Sequence, residues 1–508
     1  MSFLRSVLKA GGAAALPLNP QHARVLTSPD EFYETLLDGI ARARRRVTLA
    51  SLYVGDGGKE RHLVDCLARR LRERRELRAR VLLDHSRATR GGVNRGTARV
   101  FAPLLHGDGG GSGSDGGDVG DGGDDAAARC RVQLFQMPQL RGAWKQRVFP
   151  ARYKEGLGVF HAKAYVFDDT VLISGANLSD DYFTDRQDRY LLFGSGAAPA
   201  LADYYHGFAD VVGRHAHTLV SVPPSDAGGA ARLAVEPPAR SCAADLSREL
   251  LSLGGAGSGG GGTVDDDDDD VGTGGDRAPA QPTPTAWVSP NVQLAPVGVR
   301  QDEAVTVAVL DRALRGGLDV HLATAYFNLG PRLVHCISGA LAARQPPERP
   351  HATILTASPS ANGFHGAGGI SGALPMAFSF LVQSFWQTCA DLGLLGHVRI
   401  LEYARPGWTF HGKGLWAADT AARETFSFVG SPNFGRRSVN RDFESHVAVC
   451  VPSDSDLAGQ FRAERDAMCA HGAAVDERTW EGRRLRGFFN WQRGTWIPWA
   501  TRAIGSFL

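Results

Sequence analysis

The chain has 508 residues, with 56 Lys and Arg against 54 Asp and Glu, a formal net charge of +2. Taken as a total, that balance excludes a plainly basic nucleic-acid binder and an acidic disordered chain. With 43% hydrophobic residues, a chain this long asks for two domains or a duplicated one rather than one core. The anomaly is glycine: 62 residues, about 12% against roughly 7% in ordinary domains.

In chain order, the first 29 residues hold no acid but carry Arg5, Lys9 and Arg24, with Phe3, Leu4, Val7 and Leu8 at helical spacing. That is compatible with a mitochondrial presequence, short and poor in arginine, so residues 1–24 are set apart as presequence or tail. A first domain is expected over 25–240. Residues 31–45 have helical periodicity and lead into an apolar run, 47–53, after which strands are expected around 81–83 and 132–135. Residues 107–125 interrupt this with 10 Gly and 6 Asp in 19 positions, and 254–276 hold 10 Gly and 7 Asp in 23. Neither has a Lys or Arg, nor apolar surface enough to offset the entropy of ordering it. Both are expected to be disordered, the first as a loop insert and the second as an acidic interdomain linker. The run Asp265 to Asp270 lacks the spacing around a turn that calcium ligands need.

A second domain is expected over 285–470, and it repeats the order of the first. A helical pattern at 303–315 leads into 320–326, which shares the frame Val-x-Leu-Ala-(Ser/Thr)-x-Tyr with 47–53; strands follow around 353–355 and 398–401. Strands alternating with helices imply an α/β layered sheet in each half. Residues 373–386 are apolar but short and hold Pro375 and Gln383, so they read as a core or interfacial helix rather than a spanning one. The segment 471–508 ends with Trp480, Trp491, Trp496 and Trp499 interleaved with arginines. That mixture suits the interface of an anionic membrane, a docked C-terminal helix being the plainer reading. Seven scattered cysteines without a Cys-x-x-Cys spacing speak against a disulfide framework or a zinc site and for a reducing compartment.

The most specific signal is duplicated. The chain has six lysines, and two of them follow a Phe-His pair at the same spacing: Phe160-His161-Ala162-Lys163 and Phe410-His411-Gly412-Lys413. On a strand, each His and Lys would share a face. Each set is followed by a small-residue turn with an asparagine, Asn177 or Asn433, and eleven residues later by an acid, Asp188 or Glu444. The chemistry suits a phosphodiester. One histidine attacks phosphorus and forms a phosphohistidine, and the other serves as general acid and then general base. Lys163, Lys413, Asn177 and Asn433 would hold the non-bridging oxygens where charge builds, so neither a metal nor a cofactor is called for. Asp168 or Asp188 would hold the attacking imidazole in its productive tautomer. Arg87, Arg90, Arg436 and Arg437 are further candidate cations for an anionic acceptor.

These two sets resemble the paired His-x-Lys motifs of the phospholipase D superfamily. The resemblance implies two tandem phospholipase D-like α/β/α sandwich domains packed about a pseudo-twofold axis and sharing one active site. The words Leu172-Ile173-Ser174-Gly175-Ala176-Asn177, Arg186-Gln187-Asp188-Arg189-Tyr190, Gly407-Trp408-Thr409-Phe410-His411 and Gly430-Ser431-Pro432-Asn433-Phe434-Gly435 are similar to the eukaryotic phosphatidylglycerophosphate synthases. That narrower likeness covers roughly residues 20–508. It implies CDP-diacylglycerol and sn-glycerol 3-phosphate as substrates, an anionic membrane surface as partner with no nucleic acid, and a peripheral place on the mitochondrial inner membrane. The superfamily pattern wants an acid seven residues after each His; Asp168 fits, but the second half has Ala418, with Asp419 one place late. The unequal support favours His161 as nucleophile and His411 as general acid and base. The rivals are a phospholipase D-type hydrolase, a nuclease of the same superfamily, and a catalytically silent scaffold. Without the two acidic inserts, the remaining 466 residues carry 56 basic and 41 acidic side chains, a net of +15. Such a charge suits anionic substrates at an anionic surface.

Overall fold

The computed structural model of the chain describes residues 7, 12–106, 126–141, 155–223, 231–254 and 286–485. The two acidic inserts (Gly254 excepted), most of the proposed presequence helix and residues 486–508 lie outside the described residues. Each half is built on one mixed sheet. In the first, Arg46–Ala50, Arg78–Asp84 and Cys130–Phe135 run parallel, with Leu49 opposite Val81 and Val81 opposite Val132. In the second, Val320–Thr324, Ala352–Ala357 and Val398–Tyr403 do the same. These strands were legible as apolar runs because parallel strands are covered on both faces and so carry little polar alternation. The covering helices show the reason for their position in their caps and faces. Pro29–Arg42 starts at Ser28, whose hydroxyl accepts from the Glu31 N–H, and it buries Phe32, Leu36 and Ile40 along one stripe.

The duplication extends to the antiparallel side of each sheet. Ala164–Phe167 lies against Arg46–Ala50, followed outward by Thr170–Ser174 and Tyr190–Phe193. In the second half Lys413–Asp419 lies against Val320–Thr324, followed by Glu424–Gly430 and Glu444–Pro452. Of the acids eleven residues after the asparagines, Glu444 opens the third antiparallel strand and Asp188 stands two residues before its counterpart. Each histidine, expected within a strand, instead precedes one, so the polar groups of its backbone are left for other partners.

The halves are laced together. Arg186–Gln187 pairs in parallel with Thr409–Phe410. Near its start the chain crosses between sheets, with Leu16–Pro17 on Trp287 and Val288 and Ala23–Leu26 on Tyr190–Phe193. Phe135 and Phe160 of one half meet Phe443 of the other, each pair of ring centroids within 5.3–5.9 Å. Fully burying rings of this size stabilises the contact by about 2 kcal/mol each, which holds the halves in register. At the C-terminal end Trp480 packs on Trp386, and Arg483 reaches Ser379 and Glu402 inside the second half. The described start of the Trp- and Arg-rich segment is therefore docked on protein.

Asp168, expected beside an imidazole, lies at the opposite end of its strand. Its carboxylate accepts the backbone N–H groups of Arg44, Arg45 and Arg46, each at 2.8 Å, and it sits at φ 52° in the turn before Thr170–Ser174. It ties down the loop between Pro29–Arg42 and Arg46–Ala50. Partial burial pushes its pKa up, but the three N–H donors outweigh that and hold it below the usual carboxylate range. A depressed carboxylate contributes stability that is complete above its unfolded pKa and is lost as pH falls through the folded one. Asp168→Ala should therefore cost about 1–3 kcal/mol at neutral pH, with the difference from wild type shrinking in acid, as read by urea melts. Turnover per folded molecule should stay within about twofold.

Candidate active site

The two histidine sets meet in one buried cluster, and they meet crosswise. The Nδ1 of His161 lies 2.8 Å from Oε2 of Glu444, which belongs to the other half. The Nδ1 of His411 lies 2.6 Å from Oδ2 of Asp188, again across the halves. The backbones repeat the exchange. The N–H of His161 donates to the Phe443 carbonyl and that of His411 to the Gln187 carbonyl, both at 2.7 Å. Each histidine is thus held by two consecutive residues of the opposite half, the second being the acid. Local folding produces this. Because each histidine stands just outside a strand, its N–H has no partner in its own sheet and takes one from the neighbouring half.

The lysines do not project beside their histidines as a strand pair would. Lys163 Nζ curls back to donate to the His161 carbonyl at 2.7 Å, and Lys413 does the same to His411. Both ammonium groups are fully buried, as are Asp188 and Glu444. Lys413 and Asp188 lie 3.6 Å apart, so this buried cation and anion offset each other out of water. Burial pushes the pKa of Lys163 well down, and that of Lys413 down to about 8. Burial likewise lowers both imidazoles, His411 further than His161 because Lys413 and Arg186 add their charges. Both rings are therefore neutral at physiological pH, as a nucleophile or base requires. Asp188 is pushed up to about 6 by burial, against the pull of Lys413. Burial works on Glu444 in the same sense, but His161, Lys163 and the Ser431 hydroxyl together hold it low.

The two imidazoles are not equivalent. For His161, donation of Nδ1–H to Glu444 leaves the lone pair on Nε2, which meets no described residue. His411 is more constrained. Its Nδ1 sits between Asp188 Oδ2 at 2.6 Å and Lys413 Nζ at 2.5 Å, so a carboxylate and an ammonium compete for one nitrogen. Donation to Asp188 puts the lone pair on Nε2; acceptance from Lys413 leaves the proton on Nε2, the form that protonates a leaving group. Its Nε2 faces the Tyr182 hydroxyl at 3.1 Å, which in turn accepts from Asn177 Nδ2 at 3.0 Å. The ring of His411 thus has hydrogen-bond partners at both nitrogens, and that of His161 at Nδ1 alone among the described residues.

Both imidazoles open onto a cavity of about 400 Å³ between the halves. Asn177 and Asn433 line it, and the side-chain oxygen of each is buried and unpaired among the described residues. Of the arginines singled out by sequence, Arg87 and Arg437 reach this cavity. Arg90 is drawn to Glu155, and Arg436 is exposed at the start of the short helix Arg436–Asn440. Asp168 is absent from the cluster. Sequence reading passed over Tyr182 and Arg186. The duplication that revealed the other residues hides these, since the position five after the asparagine is Tyr182 in one half and Ser438 in the other. Arg186 stands two residues before Asp188, and in the second half that place holds Asp442, an acid. Among the described residues no group of His, Cys, Asp and Glu side chains is arranged to hold a metal ion.

No family model matches the chain. It is 34% identical to the mitochondrial CDP-diacylglycerol–glycerol-3-phosphate 3-phosphatidyltransferase of Mus musculus, over 96% of this chain and 84% of that protein. Identity to the protein of the same name from Homo sapiens is 35% with the same coverage. A probable CDP-diacylglycerol–glycerol-3-phosphate 3-phosphatidyltransferase from Dictyostelium discoideum is 29% identical over 93% of the chain and 76% of its own length. Among solved structures, a phosphatidylserine synthase from Haemophilus influenzae Rd KW20 superposes with a TM-score of 0.64 at 19% identity, over the whole of both chains. That likeness places the chain in the fold of that enzyme.

Two outcomes follow from this geometry. Glu444→Gln and Asp188→Asn should each lower kcat by about 10²–10⁴ while leaving the thermal transition cooperative, because each strips one imidazole of its orienting carboxylate. Lys413 is useful only when charged, and its folded pKa is lowered to about 8. The kcat/KM of the free enzyme should accordingly fall as pH rises through about 8, and Lys413→Arg should move that limb upward, as read from a pH–rate profile.

Proposed function

The chain belongs to the CDP-diacylglycerol–glycerol-3-phosphate 3-phosphatidyltransferase family, and from that premise we propose how its crossed site divides the chemistry. The enzyme transfers the phosphatidyl group of CDP-diacylglycerol to sn-glycerol 3-phosphate, giving phosphatidylglycerophosphate and CMP. In the first step Nε2 of His161 attacks the phosphorus that bears the diacylglycerol. The P–O bond to CMP breaks, and His411 gives its Nε2 proton to the departing oxygen as Lys413 passes a proton to its Nδ1, so the ring stays neutral. The product is a phosphatidyl-histidine at His161, with Glu444 stabilising the charge on the ring. In the second step the glycerol 3-phosphate hydroxyl attacks that phosphorus, His411 Nε2 takes the hydroxyl proton as its Nδ1 returns one to Lys413, and the P–N bond breaks. The side-chain N–H groups of Asn177 and Asn433, which line the cavity, hold the non-bridging oxygens, and Lys163 and Lys413, buried behind the rings, offset the charge from there.

The observation that carries this division is the difference between the two rings. The Nε2 of His161 is free toward the cavity, whereas His411 has a carboxylate, an ammonium and a tyrosine hydroxyl around its two nitrogens. A pure hydrolase would need no site for a charged acceptor, while three arginines line the cavity here. The reading includes a mitochondrial location, peripheral on the inner membrane. No helix among the described residues is long and apolar enough to cross a bilayer, and the net charge outside the acidic inserts suits an anionic surface.

Rapid quench with CDP-diacylglycerol labelled in its diacylglycerol phosphate tests the division. His411→Asn should accumulate label on the protein, His161→Asn should accumulate none, and wild type should release CMP faster when glycerol 3-phosphate is present. Phosphatidic acid formed at one rate with and without acceptor would instead mark a hydrolase.

A further inference from the structure

In-line displacement fixes which side of the phosphorus each group uses. CMP leaves opposite the attacking nitrogen, and the acceptor arrives along the same line. Two non-reacting anionic groups therefore occupy the His411 side in turn: the cytidylate as it departs, and the phosphate of glycerol 3-phosphate. Three arginines line the cavity, Arg87, Arg186 and Arg437. Arg437 is committed elsewhere, with Nε on Asp442 at 2.8 Å and Nη2 on the Glu155 carbonyl at 2.7 Å. Arg87 and Arg90 share the Glu155 carboxylate, whose side chain is only 16% exposed.

Arg186 differs. Its guanidinium lies 4.7 Å over the ring of Tyr182, the residue whose hydroxyl faces His411 Nε2. Its Nε donates to Thr409 Oγ1 at 3.0 Å, which leaves the outer fork to Asp181; the Arg186 side chain is 12% exposed, yet Asp181, at 2.8 Å, is 60% exposed. An ion pair with a solvated carboxylate is weak, and a desolvated phosphate offering two oxygens is the stronger partner for a guanidinium fork. The space beside it is kept open. A Cβ on Gly363 would stand 3.0 Å from the Tyr326 hydroxyl and 3.6 Å from Arg186 Nη2. Gly363 is outside the left-handed region, so its backbone does not call for glycine and the room does. The Tyr326 hydroxyl there makes no hydrogen bond to a described residue.

We propose that Arg186, with the Tyr326 hydroxyl and the space at Gly363, forms the anion subsite that takes the phosphate of the incoming glycerol 3-phosphate and, before it, the phosphate of departing CMP. The assignment rests on the reading of His161 as nucleophile. It makes Arg186 the residue that selects a phosphorylated acceptor over a neutral polyol, and it makes CMP a competitor of glycerol 3-phosphate.

The test compares glycerol 3-phosphate with glycerol as acceptor in one preparation, so a loss of folded protein cancels from the ratio of kcat/KM values. Arg186→Gln should lower that ratio at least about tenfold, chiefly through KM for glycerol 3-phosphate. Asp181→Ala, which removes the competing carboxylate, should raise it. A ratio unchanged in Arg186→Gln, or lowered in Asp181→Ala, overturns the subsite. Should Arg186→Gln turn over neither acceptor, calorimetric binding of CMP decides: at least about tenfold weaker binding than wild type supports the subsite, and equal binding overturns it. A wild-type enzyme that favours glycerol 3-phosphate over neither glycerol nor water contradicts the transferase reading itself, and the subsite with it.

Discussion

The structure depends on one exchange: each half of the chain supplies the carboxylate that orients the other half's histidine. His161 rests on Phe443 and Glu444, and His411 on Gln187 and Asp188, through a backbone and a side-chain hydrogen bond in each case. Neither half contains a complete catalytic unit. The features that join them, from the Phe135, Phe160 and Phe443 rings to the short ladder of Arg186–Gln187 with Thr409–Phe410, therefore serve the chemistry as directly as the site residues do. A displacement of an ångström between the sheets would lengthen both histidine pairs together, which is reason enough for so extensive an apolar seam.

Symmetry brings the two imidazoles to one cavity, but for the proposed chemistry two identical imidazoles would be a poor catalyst, since one attacks while the other manages protons. The difference is made outside the duplicated residues. Lys413 contacts its histidine's ring nitrogen as well as its carbonyl, whereas Lys163 bonds the carbonyl alone. Tyr182 faces the Nε2 of His411, and Ser438 at the matching place instead accepts from the Asn433 backbone N–H. Burial alone would lower both rings; the extra cations around His411 separate them. The duplicated frame thus sets position, and the departures from it set role.

Much of this was legible in the sequence, and the reason is physical. Parallel strands buried on both faces leave apolar runs, and a repeated Phe-His-x-Lys with an acid downstream is too specific to arise from core packing alone. The crossing could not be read, because the acids lie at equal spacing in both halves and nothing in a one-dimensional repeat says which half's histidine each will meet. Asp168 shows the complementary failure. Its place five residues after Lys163 suggested a catalytic partner, but on a strand that separation carries it to the far end, where three backbone N–H groups claim it. The absence of an equivalent acid at Ala418 then needs no catalytic explanation, since the position serves a local turn. Tyr182 and Arg186 escaped notice for having no counterpart in the other half.

The crossed pairing itself is open to direct observation by proton–nitrogen NMR of histidine-labelled protein. The account predicts a far-downfield Nδ1–H resonance for His161, which donates to Glu444, and one for His411 in its base form, in which Nδ1 carries the proton toward Asp188. Glu444→Gln should abolish the one that belongs to His161 and leave that of His411 in place; Asp188→Asn should do the reverse. Loss of the His411 resonance on substitution of Glu444, or of neither resonance on either substitution, would contradict the crossed architecture on which the catalytic account stands.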